Sequence, residues 1–203
     1  TLTAGTGNSD VLSFTTRTGD ANLSAVTGFE TIRTGADLAG VTITLADVNA
    51  ASGATLTVDA TANLTNAITI TAATETNGAI VINSGGGGDG ITMSQSSIGD
   101  NINAGAGNDT ISVAIANLNS LDVVDGGAGA TDALAITGAG VVADSDFTGV
   151  TNIASVSFAG ATTAVLGAEY AESGSVALTT SGGDTVTLGA GVSTNQRINM
   201  GAA

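Results

Sequence analysis

The sequence has 203 residues with 18 Asp and Glu against three Lys and Arg, a formal net charge of −15, and no His or Cys. Binding to nucleic acids and anionic membranes relies on Lys and Arg, so this charge balance argues against both partners. Without His, Lys or Cys, the usual triads and zinc sites are missing, and the sequence predicts a protein that is not an enzyme. A carboxylate pair for glycoside hydrolysis is the remaining catalytic alternative.

The composition predicts a thin, regular interior. Hydrophobic residues make up 42% of the chain and aromatic residues only 2%, with 30 Gly and no Pro. Val, Ile, Leu and Ala must therefore form the core, and many short strands with tight turns are expected. The sequence has no run of 18 apolar residues, so no membrane-spanning helix is predicted. A start at Thr1 indicates a segment of a longer chain.

The first element is a turn at residues 3–12 (TAGTGNSDVL), in which Gly5 and Gly7 precede Asp10 and apolar Leu12 follows two places later. From residue 41 onward the pattern changes to strands, because apolar Val41 and Ile43 alternate with Thr. Similar strands recur at Leu56/Val58, Ile68/Ile70, Ile80/Ile82 and Ile91/Met93, roughly every dozen residues. This spacing is too short for intervening helices. It predicts an all-β fold, a β-solenoid with mostly parallel strands, and leaves an antiparallel sandwich as the alternative.

Three further glycine-rich turns follow at residues 84–92 (SGGGGDGIT), 104–112 (AGAGNDTIS) and 126–134 (GGAGATDAL). Each approximates the calcium-binding β-helix nonapeptide G-G-x-G-x-D-x-U-x. Calcium needs six to eight hard oxygen ligands, and glycine allows a short turn to direct its carbonyl groups at one point. The predicted ligands are the acids Asp89, Asp109 and Asp132 with the turns of Gly85, Gly87, Gly105, Gly107, Gly127 and Gly129. The alternative is that each Asp only accepts hydrogen bonds within its own turn.

Weaker candidates for calcium ligation surround these turns. Asp10 lies in the first turn, and Asp184 in a degraded copy at residues 182–186 (GGDTV). Asp100 and Asp125 precede glycine-rich turns and are candidates to complete a neighbouring cage. Asp122 is expected to be a solvated turn residue.

The chain also repeats itself at a longer offset. Asp10 and Asp132 occupy equivalent turns about 122 residues apart, and GFETI at residues 28–32 corresponds to GVTNI at residues 149–153. We therefore expect two continuous solenoid modules, residues 1–125 and 126–203.

The turns, the GFETI phrase and the Thr/Ala/Val/Gly-rich strands resemble the RTX-type calcium-binding surface-layer proteins of Gram-negative bacteria. The resemblance implies an extracellular, cell-surface structural protein, in which Ca²⁺ rigidifies stacked turns and the chain self-associates into a lattice or filament. Cell-surface polysaccharide is a further candidate partner. The alternative is a stalk segment of a large RTX-type adhesin. A minor alternative is an ice-binding hydroxyl ladder formed by Thr42/Thr44, Thr55/Thr57 and Thr69/Thr71.

Overall fold

The computed structural model describes residues 1–15, 19–36, 38–172, 177–180, 183–192 and 197–200, and these form a β-solenoid. Every strand pair in them is parallel, which confirms the predicted fold and excludes the antiparallel sandwich. The strands are β1 (Leu2–Thr3), β2 (Val11–Phe14), β3 (Ala21–Asn22), β4 (Val26–Thr27), β5 (Thr31–Thr34), β6 (Val41–Thr44), β7 (Thr55–Asp59), β8 (Ile68–Thr71), β9 (Ala79–Asn83), β10 (Gly90–Thr92), β11 (Asn101–Asn103), β12 (Thr110–Ala114), β13 (Val123–Asp125), β14 (Ala133–Thr137), β15 (Gly140–Val142), β16 (Val150–Thr151), β17 (Ser155–Ala159), β18 (Thr162–Leu166), β19 (Ala177–Thr180), β20 (Thr185–Leu188) and β21 (Arg197–Met200).

Two large sheets form the walls of the solenoid. One has seven strands in the order β16-β13-β11-β9-β7-β5-β2, and the other has nine in the order β21-β19-β17-β14-β12-β10-β8-β6-β3. From β2 to β17 each coil gives one strand to each sheet; β7 and β8 belong to the third coil, β9 and β10 to the fourth, β11 and β12 to the fifth, and β13 and β14 to the sixth. A three-stranded sheet, β15-β18-β20, and the pair β1-β4 lie beside these walls.

The core is built from columns of identical or similar apolar side chains. Ile82 pairs with Val58 in the coil before and with Ile102 in the coil after, and all three are fully buried. Ile91 has the same place in the nine-stranded sheet, between Ile70 and Ile111. Because strand side chains alternate between faces, this stacking confirms the inward-facing residues predicted from residues 41–93.

Helical structure is short in the described residues. A 3₁₀ turn, Asp144–Phe147, and a helix, α1 (Ala168–Glu172), pack together. Buried Tyr170 packs against Phe147 in a T-shaped arrangement with ring centroids 5.2 Å apart. Neither segment has the length and hydropathy of a membrane-spanning helix.

The nine-stranded sheet continues from β12 to β14 across the predicted boundary between residues 125 and 126. The division into two modules stays a prediction.

Candidate metal-binding turns

The three nonapeptide turns lie on top of one another at one corner of the solenoid, where the chain passes from the seven-stranded to the nine-stranded sheet. We call residues 84–89, 104–109 and 126–132 the glycine corner. Parallel bridges join Gly86 to Ala106 and Ala106 to Ala128. The amide of Ala106 donates to the carbonyl of Gly85 at 2.8 Å, and that of Ala128 donates to Gly105 at 2.7 Å. The backbones of successive turns are therefore in direct contact.

Glycine is required at this corner because the turns approach so closely. Gly107 has φ of 133°, and a Cβ placed there would lie 2.0 Å from the carbonyl oxygen of Gly87. Gly105 has φ of 90°, and its Cβ would lie 2.1 Å from the oxygen of Gly85. The glycines of the motif are thus required for the close packing of successive turns as well as for any ligand binding.

The three predicted acids form a buried column at the end of these turns. Asp89 is 3% exposed, and Asp109 and Asp132 are each 1% exposed. The backbone amide of Asp89 donates to Asp109 Oδ1 at 2.7 Å, and the amide of Asp109 donates to Asp132 Oδ1 at 2.8 Å. In the same way the amide of Ile68, one coil earlier, donates to Asp89 Oδ1 at 2.9 Å. Each carboxylate therefore joins its coil to the one before it.

The second carboxylate oxygens have different surroundings. The hydroxyl of Ser84 donates to Asp89 Oδ2 in a short hydrogen bond. Asp109 Oδ2 is buried without a hydrogen-bond partner among the described residues. The carboxylate of Asp132 lies over Gly129, where a Cβ would come within 2.5 Å of Oδ1. Asp109 Oδ2 is thus a buried carboxylate oxygen of this column that no hydrogen bond among the described residues occupies.

Burial makes two of these acids, Asp89 and Asp109, harder to ionise. Burial, reinforced by the charges of Asp89 and Asp132 and opposed by the hydrogen bond from the Asp89 amide, raises the pKa of Asp109 to about 6. Burial also raises the pKa of Asp89, against the hydrogen bonds from Ser84 and Ile68. A bound cation would relieve this cost, because it favours the charged form of each carboxylate.

The donors at the glycine corner fit a hard cation only in part. The described residues contain no group of three or more His, Cys, Asp or Glu arranged around one point. A site here can use the unpartnered oxygen of Asp109, and backbone carbonyls and water would supply further ligands. Calcium accepts such ligands, and the glycine-rich turn of the motif supplies backbone carbonyls of this kind.

The remaining predicted ligands do not join this column. Asp10 lies against Gly7, whose Cβ would be 3.5 Å from its carboxylate, so the first turn brings these two residues together as predicted. However, its position immediately before β2 places Asp10 at the opposite corner, where the chain enters the seven-stranded sheet. Gly5 is near the same carboxylate. Asp10 Oδ2 is buried without a hydrogen-bond partner in the described part of the chain.

Asp184 lies away from the glycine corner, whereas Asp125 borders it without joining the column. Asp184 Oδ1 accepts a hydrogen bond from the amide of Thr162 at 2.7 Å, ahead of β20 in the three-stranded sheet; residue 182 of its turn lies outside the described residues. Asp125 is at the end of β13, where Oδ1 accepts from the amide of Gly127 at 2.8 Å and from Asn152 Nδ2 at 2.7 Å. Calcium ligation by either residue stays a prediction.

A second column of acids lies at the opposite corner, where the chain passes from the nine-stranded to the seven-stranded sheet. Asp100 accepts hydrogen bonds from the amides of Ile80 and Ser94, and the amide of Asp100 donates to Asp122 Oδ1 at 2.8 Å. The expectation that Asp122 is solvated is wrong, because it is only 2% exposed and also accepts from the amide of Asn119. Local sequence does not reveal this role. The register between coils sets the hydrogen bonds from the amide of Ile80 to Asp100 and from the amide of Asp100 to Asp122.

The three Thr pairs do not form one ladder, which corrects that expectation. Thr42 and Thr44 lie beside Thr69 and Thr71 on the nine-stranded sheet. The pair Thr55 and Thr57 is on the seven-stranded sheet, where it adjoins Ala79 and Val81. On the nine-stranded sheet the column of Thr42 and Thr69 ends at Gly90, whereas the column of Thr44 and Thr71 continues through Thr92.

Comparison with known proteins gives no relative for this chain: no family model, no curated protein and no solved structure matches it.

Proposed function

We propose that this chain is a structural segment of an extracellular, calcium-dependent assembly, a surface layer or filament, in which calcium rigidifies the glycine corner. The observation that carries the proposal is the buried, unpartnered Asp109 Oδ2 inside a stack of three glycine-rich turns. The resemblance to RTX-type surface-layer proteins supplies the extracellular setting.

Calcium suits this corner because the corner concentrates negative charge. Asp89, Asp109 and Asp132 are stacked and buried. The one ion pair among the described residues joins Arg33 to Asp59, 3.1 Å apart, on the outer face of the seven-stranded sheet. A hard cation at the turns would neutralise the column and cross-link consecutive coils, so binding would add directly to folding stability.

Self-association is supported by a surface without charge. The outward residues of six strands of the nine-stranded sheet are all Thr, Ser, Ala or Gly, and we call this surface the neutral face: Thr42, Thr44, Thr69, Thr71, Gly90, Thr92, Thr110, Ser112, Ala114, Ala133, Ala135, Thr137, Ser155, Ser157 and Ala159. The whole chain carries a net charge of −15. Contact through the neutral face therefore lets two copies approach with their carboxylates directed apart.

The calcium part of the proposal is tested by isothermal titration with CaCl₂ and by thermal unfolding with and without the ion. Asp109→Asn keeps the acceptor for the Asp89 amide but removes the charge, and we expect it to lower calcium affinity at least tenfold. Asp146→Asn is the matched control, because Asp146 also accepts one backbone hydrogen bond, from Ala143, outside the glycine corner. Equal affinity in the wild type and Asp109→Asn would overturn the site.

The assembly part is tested by electron microscopy of the purified chain in calcium and in a chelator. Thr71→Glu places a charge on the neutral face, and Thr57→Glu places the same charge on the outer face of β7. We expect ordered sheets or fibres in calcium for the wild type and Thr57→Glu, and none for Thr71→Glu. Calcium-stabilised monomers in every sample would contradict assembly and favour the adhesin-stalk alternative.

A further inference from the structure

A buried glutamate lies at the opposite corner, in the segment between β8 and β9 that no motif in the sequence singles out. Glu75 is fully buried, with 0% of its surface exposed. Its Oε1 accepts hydrogen bonds from the amides of Asn77 at 3.0 Å and Gly78 at 2.8 Å. These bonds close the turn and hold the carboxylate inside the solenoid.

Two oxygens in this turn have no partner among the described residues. Glu75 Oε2 is buried without a hydrogen bond, and so is Asn77 Oδ1. The side-chain nitrogen Nδ2 of Asn77 donates to Asp47 Oδ1 at 3.1 Å, and the side-chain oxygen Oδ1 therefore lies on the buried side. This turn therefore holds two buried oxygen acceptors, one from a carboxyl group and one from a side-chain amide, that no described donor occupies.

In the preceding coil the position equivalent to Glu75 is occupied by a neutral side chain, that of Asn49. Asn49 makes the same turn, its amide donating to Ala46 as that of Glu75 donates to Ala72. Asn49 Nδ2 then donates to the carbonyls of Leu23 and Val26, at 2.8 and 2.7 Å, in the coil before. A carboxylate has no proton to donate in this way, so the charge of Glu75 needs a different partner.

The following coil brings a second carboxylate. The amide of Gln95 donates to the carbonyl of Glu75 at 2.7 Å, which places the next corner segment directly against it. In that segment Asp100 is buried and accepts from the amide and hydroxyl of Ser94. Burial raises the pKa of Asp100, and the negative charge of Glu75 raises it further. The only described basic side chain, Arg33, bonds to Asp59 instead.

We propose that this corner binds a hard cation of the calcium class, with Glu75 Oε2 and Asn77 Oδ1 as ligands and Asp100 supplying a second negative charge. Backbone carbonyls and water complete the coordination, as calcium and magnesium permit. The site is separate from the glycine corner, on the other edge of the sheets, and does not depend on calcium binding there.

The test titrates the full chain with CaCl₂ and with MgCl₂ by calorimetry and follows thermal unfolding by circular dichroism. Glu75→Gln retains the shape and one oxygen acceptor for the amides of Asn77 and Gly78 while removing the charge. We expect it to lose one bound ion, or at least tenfold in the affinity of one ion. Glu169→Gln, the same change on α1, serves as the control and should titrate as the wild type does.

Asp109→Asn separates this proposal from the function proposed above. Loss of an ion in Glu75→Gln and not in Asp109→Asn would support the present site and count against calcium at the glycine corner. Loss only in Asp109→Asn would overturn the present site alone. If Glu75→Gln does not fold, Asn77→Ala removes one ligand and leaves the backbone amide of residue 77 in place; wild-type affinity in Asn77→Ala would overturn the proposal.

Discussion

At the scale of single residues, the acids of the glycine corner do two opposing things. Their carboxylates accept hydrogen bonds from the backbone of the preceding coil, as Asp132 does from Asp109. Backbone donors favour a charged acceptor, whereas burial and neighbouring charges disfavour it. For Asp109 the unfavourable effects prevail, because burial and its neighbours' charges raise its pKa to about 6.

The raised pKa gives metal-free protein a defined pH dependence. Because Asp109 binds its proton more tightly when folded, this contribution to stability is fully present below about pH 4, the unfolded value. It is lost as the pH rises through about 6. Burial shifts the pKa values of Asp89, Asp100 and Asp122 in the same direction. We expect Asp109→Asn to be more stable than the wild type near neutral pH, by on the order of 1 kcal/mol after allowing for solvent screening.

Urea unfolding of metal-free wild type and Asp109→Asn checks this on both sides of that pH range. The two proteins should differ most at neutral pH and converge toward about pH 4. An identical fall in stability with pH in both proteins would show that Asp109 does not titrate in the folded state as described.

Glycine at position 107 is required for space as well as for conformation. Its φ is 133°, and an added Cβ would lie 2.0 Å from the Gly87 oxygen. Gly53 also has positive φ, 73°, but a Cβ there would meet nothing within 4 Å. We expect Gly107→Ala to destabilise the fold by at least about 3 kcal/mol and Gly53→Ala by about 1 kcal/mol. Urea unfolding measures both; equal effects would mean that the turns separate to admit a methyl group.

At the scale of elements, stability comes from strands that bury one face and stack the same residue types in register. Ile82 on β9 is fully buried between Val58 and Ile102, whereas its neighbour Val81 faces outward. We expect Ile82→Ala to cost about 2 to 5 kcal/mol. Val81→Ala, on the same strand, should cost less than about 1 kcal/mol. Chemical unfolding distinguishes them, and similar values would contradict the assignment of the two faces.

The strands are predictable from sequence because the signal for them is local. Val41, Ile43 and Leu45 alternate with Thr over five residues, and such alternation indicates one buried face whatever the neighbouring coils are. The spacing between strands also fits an antiparallel sandwich, and it is the nonapeptide turns that favour the parallel arrangement. In this way the sequence alone predicts the β-solenoid and its inward-facing apolar residues.

The roles of the acids at the corners are less predictable, because their hydrogen-bond partners lie one coil away in the sequence. The hydrogen bond from the Asp100 amide to Asp122 joins residues 22 apart, and no local pattern fixes that register. Asp122 therefore resembles a solvated turn residue in sequence, although it is buried. The burial of Glu75 is hidden from the local sequence for the same reason. A useful signal is an acid three residues into a turn where the neighbouring coil has Asn, as Glu75 and Asn49 show.

At the scale of the whole molecule, charge and apolar packing are arranged in separate columns along the solenoid. The apolar columns hold the two large sheets together through the interior. The acids stack at the corners, where Asp89 adjoins Asp109 and Asp100 adjoins Asp122. Stacking like charges coil after coil makes repulsion add up along the molecule, so the fold as a whole is sensitive to ions.

This sensitivity predicts how the metal-free chain responds to salt. With a net charge of −15, its repulsion weakens as the screening length falls from about 30 Å at about 0.01 M salt to about 10 Å at about 0.1 M. We expect Tm to rise over this range by several degrees, since about 1 kcal/mol corresponds to roughly 2 to 4 °C for a chain of this size. Thermal unfolding by circular dichroism in NaCl measures the effect.

CaCl₂ at matched ionic strength separates screening from binding. Screening depends only on ionic strength, so it gives the same Tm in both salts, whereas ions held at the corners stabilise the folded chain further by mass action. A higher Tm in CaCl₂ that falls to the NaCl value in an Asp109→Asn, Glu75→Gln double variant would assign the difference to the two corners. A Tm that does not respond to NaCl would instead mean that the stacked carboxylates hold protons rather than charge, because only charged columns repel one another.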